Sequence, residues 1–201
     1  MSAQIINGKE IAAKVRAQSV SYTHLDVYKR QGYVKAYPKG IRENGGQYTH
    51  GVIWLALALL EYGDYDRGYR LLQILNPAYR CANEDIAKRY QLEPYYIAAD
   101  IYTAQSCYGR GGWSIYTGSA GWYYKTAVES LLGVRKIGKT LRIYPRIPHS
   151  WNGFTMRLFM EGTEIEIRVQ RTGQNRMTEQ EEEIEVIPLD GEKHEIVVEI
   201  S

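Results

Sequence analysis

A chain of 201 residues with 44% apolar and 24% charged side chains has an ordinary globular composition, enough for one large domain or two small ones. Its formal charge of +2 offers no general attraction for nucleic acid or an acidic membrane surface. No apolar run reaches spanning length, no signal-peptide core opens the chain, and Cys81 and Cys107 read as buried thiols rather than a bridge or metal site, so a soluble cytoplasmic protein is expected.

In chain order, "MSAQIINGKEIAAKVRAQ" (1–18) reads as a short extended start, a turn at Asn7-Gly8 and an amphipathic helix. It resembles the opening of the bifunctional methylenetetrahydrofolate dehydrogenase/cyclohydrolase family, and the resemblance stops there. "SVSYTHLDVYKRQ" (19–31) has no helical or strand period and resembles a translated adapter sequence. Residues 1–31 are therefore expected to be a foreign or artificial segment.

From Gly32 the pattern turns helical. "GVIWLALALLEYG" is apolar nearly all round, as expected of a helix surrounded by other protein. After a tight Gly63-Asp64 joint, "DYDRGYRLLQILNP" places Tyr65, Tyr69, Leu72 and Leu75 on one face, and Pro77 ends it. "NEDIAKRYQLEPYYIAADIYTA" predicts another helix or two, broken near Glu93-Pro94, and "TGSAGWYYKTAVESLLG" a last one that stops at Gly133. Paired helices with one nearly all-apolar member suggest a toroid of helical hairpins.

After Gly138 the period becomes two. "TLRIYPRIP", "GFTMRLFMEG", "TEIEIRVQR", "EIEVIPLDG" and "HEIVVEIS" predict five short strands of an antiparallel sandwich, with the acidic run "EQEEEIEV" on a strand edge. The fold class is thus α+β, with domains at 32–134 (helical) and 135–201 (β-sandwich).

Some patterns mislead. "GVRKIGKT" (133–140) fits the phosphate-loop expression, but a helix precedes it and a strand follows, the reverse of what that loop needs. It reads as a helix-to-strand connection. "GRGGW" lacks a flanking βαβ unit, no Ser nucleophile sits on an elbow, and His24, His149 and His194 are scattered without metal-ligand spacing.

Two segments carry chemistry: "YPKGIRENGGQYTHGVIW" and "GRGGWSIYTGSAGWYY". Each gathers glycines and hydroxyl or imidazole groups where a helix begins, and helix starts present unpaired N–H groups and a positive dipole end to anions. His50 at one start and Thr117-Gly118 at the other fit a phosphate clamp. Equally, Thr117 caps its helix and His50 is a hydrogen-bonded core group. Spacing alone leaves both readings open.

Residues 32 to about 170 resemble the C-terminal part of the glycoside hydrolase family 94 phosphorylases. That group includes cellobiose, chitobiose and 1,2-β-oligoglucan phosphorylases and the phosphorylase-like end of cyclic β-1,2-glucan synthases. The resemblance is carried, in order, by "RENGGQYTH", "GDYDRGYRLLQILNP", "EPYYIAAD", "GRGGW", "YTGSAGW" and "LRIYPRIP". It implies part of an (α/α)6 helical barrel followed by an antiparallel β-sandwich. It also implies reversible, inverting phosphorolysis of a β-glucosidic bond to α-glucose 1-phosphate, with inorganic phosphate as co-substrate and no further cofactor or metal. Phosphate is itself the nucleophile, so one carboxylic acid suffices; an inverting hydrolase needs a second carboxylate, roughly 6.5–9.5 Å away, to activate water.

By the same resemblance His50, Thr117 and Gly118 bind phosphate, and Tyr37 lies near the leaving-group sugar. The family's general-acid aspartate falls upstream of "RENGGQYTH", and neither Glu43 nor Asp100 matches it. Glu43 reads as a structural carboxylate paired with Arg42 or with helix-start amides. Ala98-Ala99 stand where cellobiose-type members carry a sugar-binding glutamine, which leans toward the β-1,2-glucan branch.

The expectation is a phosphorylase fragment that is inactive alone and takes a β-glucan oligosaccharide and phosphate. No nucleic acid or membrane partner is expected. Exposed apolar helix faces would lead to aggregation or association, a homodimer included. The alternatives are a non-catalytic carbohydrate-binding or structural module, favoured by 18 Tyr and 4 Trp against 2 Phe, and a folate-dependent oxidoreductase, against which the absence of a βαβ unit argues.

Overall fold

A computed structural model describes residues 36–172 and 185–200. The segment 1–31, His24 and most of the acidic run 179–186 lie outside the described residues.

Helix α1 (Thr49–Tyr62) and helix α2 (Tyr65–Leu75) form a hairpin about Gly63. Asp64 caps α2, its carboxylate accepting the Arg67 backbone N–H at 3.2 Å. The helices meet through Ala56, Leu60 and Leu72, with Tyr65 and Tyr69 packed alongside as the spacing predicts. Short helices α3 (Pro77–Arg80) and α4 (Glu84–Tyr90) follow, capped by the Asn76 and Asn83 side chains.

α1 departs from expectation. Ile53, Ala56 and Leu60 are fully buried, but Trp54 and Leu55 are 53% exposed and Tyr62 86%. One stripe packs on α2 and on helix α5 (Thr117–Lys125), and the opposite stripe meets solvent. An all-apolar helix is here only half enclosed.

The helix expected beyond Pro94 is replaced by extended chain. Gln91 ends α4 in a left-handed conformation (φ 58°), and the chain then forms the middle strand of a small antiparallel sheet. Its strands are β1 (Gln47–Tyr48), β2 (Asp100–Ile101) and β3 (Gly111–Gly112), with β2 central. Ala98, Ala99 and Asp100 are buried there, and a helix would have left them without these partners. α5 runs on through a π-helical turn, Thr126–Leu131, into the β half.

That half begins one strand earlier than expected. The stretch read as a connection contains β4 (Val134–Ile137), hairpinned to β5 (Thr140–Ile143) with Ile137 facing Thr140. Gly138, at φ 60°, takes the first central position of the two-residue turn, which suits the twist of the paired strands. Strand β8 (Glu185–Pro188) completes this sheet.

The second sheet holds β6 (Gly153–Met160), β7 (Thr163–Arg171) and β9 (Lys193–Ile200). β6 and β7 are antiparallel, but β9 runs parallel to β7, so the expected wholly antiparallel sandwich is corrected at this pair. Between β7 and β9 the chain visits the other sheet as β8, and it returns in β7's direction. Leu141, Ile143 and Ile187 of one sheet and Ile165, Ile167, Val169 and Val198 of the other share a single core. On the outer face, Glu166 is held between Arg157 (2.8 Å) and Arg168 (2.6 Å), which keep its carboxyl below the usual range, Arg168 first.

Polar groups tie the halves together. Glu61 Oε1, near the end of α1, accepts from Arg146 Nη1 at 2.7 Å and Ser130 Oγ at 3.3 Å. Asp66 on α2 accepts the His149 backbone N–H at 2.9 Å and meets its ring Nδ1 at 2.7 Å. Asp190 likewise meets His194 Nε2 at 2.9 Å, so both described histidines of the β half are paired rather than metal-placed. Cys81 and Cys107 are free and only half-buried.

Candidate functional site

The small sheet explains how segments distant in sequence form one site. Register places Tyr48 opposite Asp100 and Asp100 opposite Gly112. The residues that follow β1 and β3 are therefore neighbours, with Ala99 between them: its carbonyl accepts the Thr49 N–H at 3.0 Å, and its N–H donates to the Trp113 carbonyl at 3.0 Å. Thr49 opens α1, and Trp113 leads through Tyr116 into α5.

The starts of α1 and α5 thus come together. The Tyr48 and Tyr116 hydroxyls, on the residues that precede the two helices, lie 3.1 Å apart, and this bond pushes the Tyr48 phenol upward in pKa. Neither helix has a side-chain cap, so Thr117 does not cap α5. Among the described residues, neither N-cap side chain accepts from the helix-start N–H groups.

His50 sits in the first turn of α1 amid aromatic rings: Tyr48 stacked at 6.1 Å, Trp54 edge-on at 4.8 Å and Trp122 tilted at 6.1 Å. Its Nε2 is buried and has no hydrogen-bond partner among the described residues, unlike the hydrogen-bonded core group that spacing alone allows. Thr49 Oγ1 and Ser119 Oγ, one on each helix start, share that condition and are almost fully buried. Thr117 and Gly118 are exposed. A side chain at Gly118 would meet open space, so packing within the chain does not demand glycine there.

Beside this pair lies a loop knot that sequence reasoning missed. The Asp100 carboxylate is 2% exposed and accepts the Arg42 backbone N–H at 2.9 Å, with the Arg42 guanidinium 3.9 Å away. Burial pushes this carboxyl up in pKa, partly offset by the Arg42 N–H bond and charge. A Cβ at Gly46 or Gly112 would come within 2.9 Å or 2.4 Å of the Asp100 oxygens, so both loops need glycine to close on it. Glu43 is loosely paired with Arg42 at 3.9 Å, as its structural reading anticipated. Tyr37 is half-buried, its carbonyl accepting the Asn44 amide at 2.9 Å, and its ring faces the Arg42 guanidinium at 5.9 Å. The signal for this knot lay in "RENGG" and "GRGGW", glycine-rich loops with one arginine and one tryptophan, but their partner Asp100 is far off in sequence.

Residues 9–133 match the catalytic domain of the glycosyl hydrolase 94 superfamily. The chain belongs to that superfamily. Among curated relatives it is 46% identical over 140 residues to the cyclic beta-(1,2)-glucan synthase NdvB of Rhizobium meliloti (strain 1021), an alignment covering 70% of this chain and 5% of that protein. It is 31% identical over 140 residues to the N,N'-diacetylchitobiose phosphorylase of Vibrio furnissii, covering 69% of this chain and 17% of the relative. It is 29% identical over 143 residues to the cellobionic acid phosphorylase of Neurospora crassa, covering 69% and 18%. The chain therefore spans a small fraction of the relatives it matches. His50, Thr117, Gly118 and Tyr37 all fall inside the glycosyl hydrolase 94 match. Among the described residues no helix is long and apolar enough to cross a membrane.

Proposed function

We propose that the chain supplies the phosphate-binding part of an inverting glycoside phosphorylase acting on β-linked gluco-oligosaccharides. On this reading α1, α2 and α5 belong to an (α/α)6 barrel. The observation that carries the proposal is the meeting of two helix starts without side-chain caps, bridged by Tyr48 and Tyr116, beside a His50 Nε2 that has no hydrogen-bond partner among the described residues. Helix-start amides and their dipoles favour an anion, and a protonated imidazole or an N–H from neutral His50 adds a donor. Thr117 contributes its hydroxyl, and Gly118 lets phosphate approach the backbone. Tyr37 lies toward the leaving-group sugar.

Bound there, inorganic phosphate attacks the anomeric carbon, and the leaving oxygen takes a proton from a carboxylic acid. Asp100 is not placed for that role, being buried in the loop knot against Arg42, Gly46 and Gly112. Glu43 is loosely paired with Arg42 and does not match the family's acid. The chain by itself is accordingly expected to release no glucose 1-phosphate, and phosphate is its only co-substrate.

Phosphate titration by calorimetry tests this directly. His50→Ala is expected to weaken phosphate by about tenfold or more, about 1.4 kcal/mol, with thermal stability little changed. Unchanged affinity overturns the assignment. Release of glucose 1-phosphate from β-1,2-, β-1,3- or β-1,4-gluco-oligosaccharides by the chain alone would overturn the exclusion of Glu43 and Asp100 as the acid.

A further inference from the structure

Arg42, Trp113 and Ile115 share an unusual feature: all three lie in the left-handed region, at φ 52°, 43° and 59°, on two loops brought together by the small sheet. Side-chain-bearing residues keep that conformation only where the surroundings impose it, and such positions gather at binding and catalytic sites. Burial does not explain Trp113, which is 61% exposed.

Its backing does. The Arg42 guanidinium carbon lies 3.7 Å from the centroid of the Trp113 ring, stacking contact on one face. Arg42 is in turn fixed by its backbone bond to buried Asp100, and the Tyr37 ring lies 5.9 Å from the same guanidinium. The guanidinium thus braces one face of the indole, while most of the residue is exposed to solvent. It also lies within a few residues of Tyr116 and the α5 start, and its carbonyl shares Ala99 with Thr49, the residue before His50.

A rigid, exposed aromatic face suits a particular ligand chemistry. In a β-linked glucopyranose the ring C–H bonds are axial, so each face of the sugar is an apolar patch edged by hydroxyls. Such a patch packs on a flat indole, while the hydroxyls keep their contacts with water and nearby polar groups. We infer that the exposed face of Trp113 is a stacking platform for a glucosyl unit of the oligosaccharide, with Arg42 as the positioning residue behind it. This inference rests on the phosphorylase reading for the class of sugar, but not for the existence of the platform.

The test uses saturation-transfer NMR on the full chain with the β-1,2-, β-1,3- and β-1,4-linked glucobioses, alongside phosphate calorimetry on the same samples. Transfer from protein to sugar ring protons is expected. Trp113→Ala should weaken sugar binding at least about tenfold, Trp113→Tyr should retain it within roughly threefold, and neither should alter phosphate affinity. Because Trp113 is exposed, both variants keep the fold, which circular dichroism checks. No transfer to any glucobiose, or equal binding by Trp113→Ala, overturns the platform. Phosphate binding that responds to His50→Ala alongside a sugar signal indifferent to Trp113 would sink the platform and leave the phosphate reading standing. Trp113-dependent sugar binding without phosphate binding would do the reverse.

Discussion

The two halves of the molecule are built on different principles. In the β half, two sheets bury their aliphatic faces in one shared core, and the outward charges pair, as Glu166 does with Arg157 and Arg168. In the helical half the buried cluster of α1 and α2 is small, one stripe of α1 is open, and buried polar atoms of Thr49, His50 and Ser119 lack partners among the described residues. Satisfied groups make a scaffold; unsatisfied groups gathered at two helix starts make a place for a ligand.

The comparison breaks if core truncations cost the same on both sides. Ile167→Ala, at the centre of the β core, is expected to lose about 3–5 kcal/mol in urea denaturation. Leu60→Ala, in the smaller cluster of the helical half, is expected to lose about 2–3 kcal/mol. Equal losses would mean that the helical half is as tightly packed as the sandwich.

A smaller effect probes the seam. Glu61 gathers Arg146 and Ser130 at one carboxylate oxygen, so Glu61→Gln is expected to cost about 1 kcal/mol. If the halves unfold independently, the loss will appear in one transition only, which two-probe denaturation would reveal.

The smallest effect is in pH, and its sign differs between the regions. At the seam, the His149 bond holds the Asp66 carboxyl below its usual range, so Asp66 stabilises the fold above its unfolded pKa. That contribution is lost as pH falls through its folded value. In the loop knot, burial raises the Asp100 carboxyl, so its contribution is present below the unfolded pKa and lost as pH rises through its folded value. Across about pH 2–6, Asp66→Asn should flatten the acid-side loss of stability, and Asp100→Asn should remove the loss on the rising side. Matching slopes for the two variants would contradict the assigned causes.

Legibility in the sequence followed local period. The long alternations of β6 and β7 identify them as strands, because every second residue faces a core. β4 escaped because it is only four residues, two of them basic, inside a pattern that mimics a phosphate loop. β1, β2 and β3 escaped for a harsher reason: two residues have no period at all. Yet those three short strands bring together the segments that carry His50, Thr117 and Trp113. The helix starts themselves were readable from glycines, hydroxyls and a histidine crowded before apolar runs. Their meeting was not.

What the sequence by itself determined was local: where the long strands alternate and which polar groups crowd the starts of α1 and α5. Tertiary structure decided which stripe of α1 is covered, that β9 runs beside β7 in the same direction, and that Asp100 locks Arg42 behind Trp113. Those outcomes depend on pairings across many residues, such as Tyr48 with Tyr116 and Arg42 with Asp100. Such contacts are selected by how whole surfaces fit and leave no trace in the spacing of neighbouring residues.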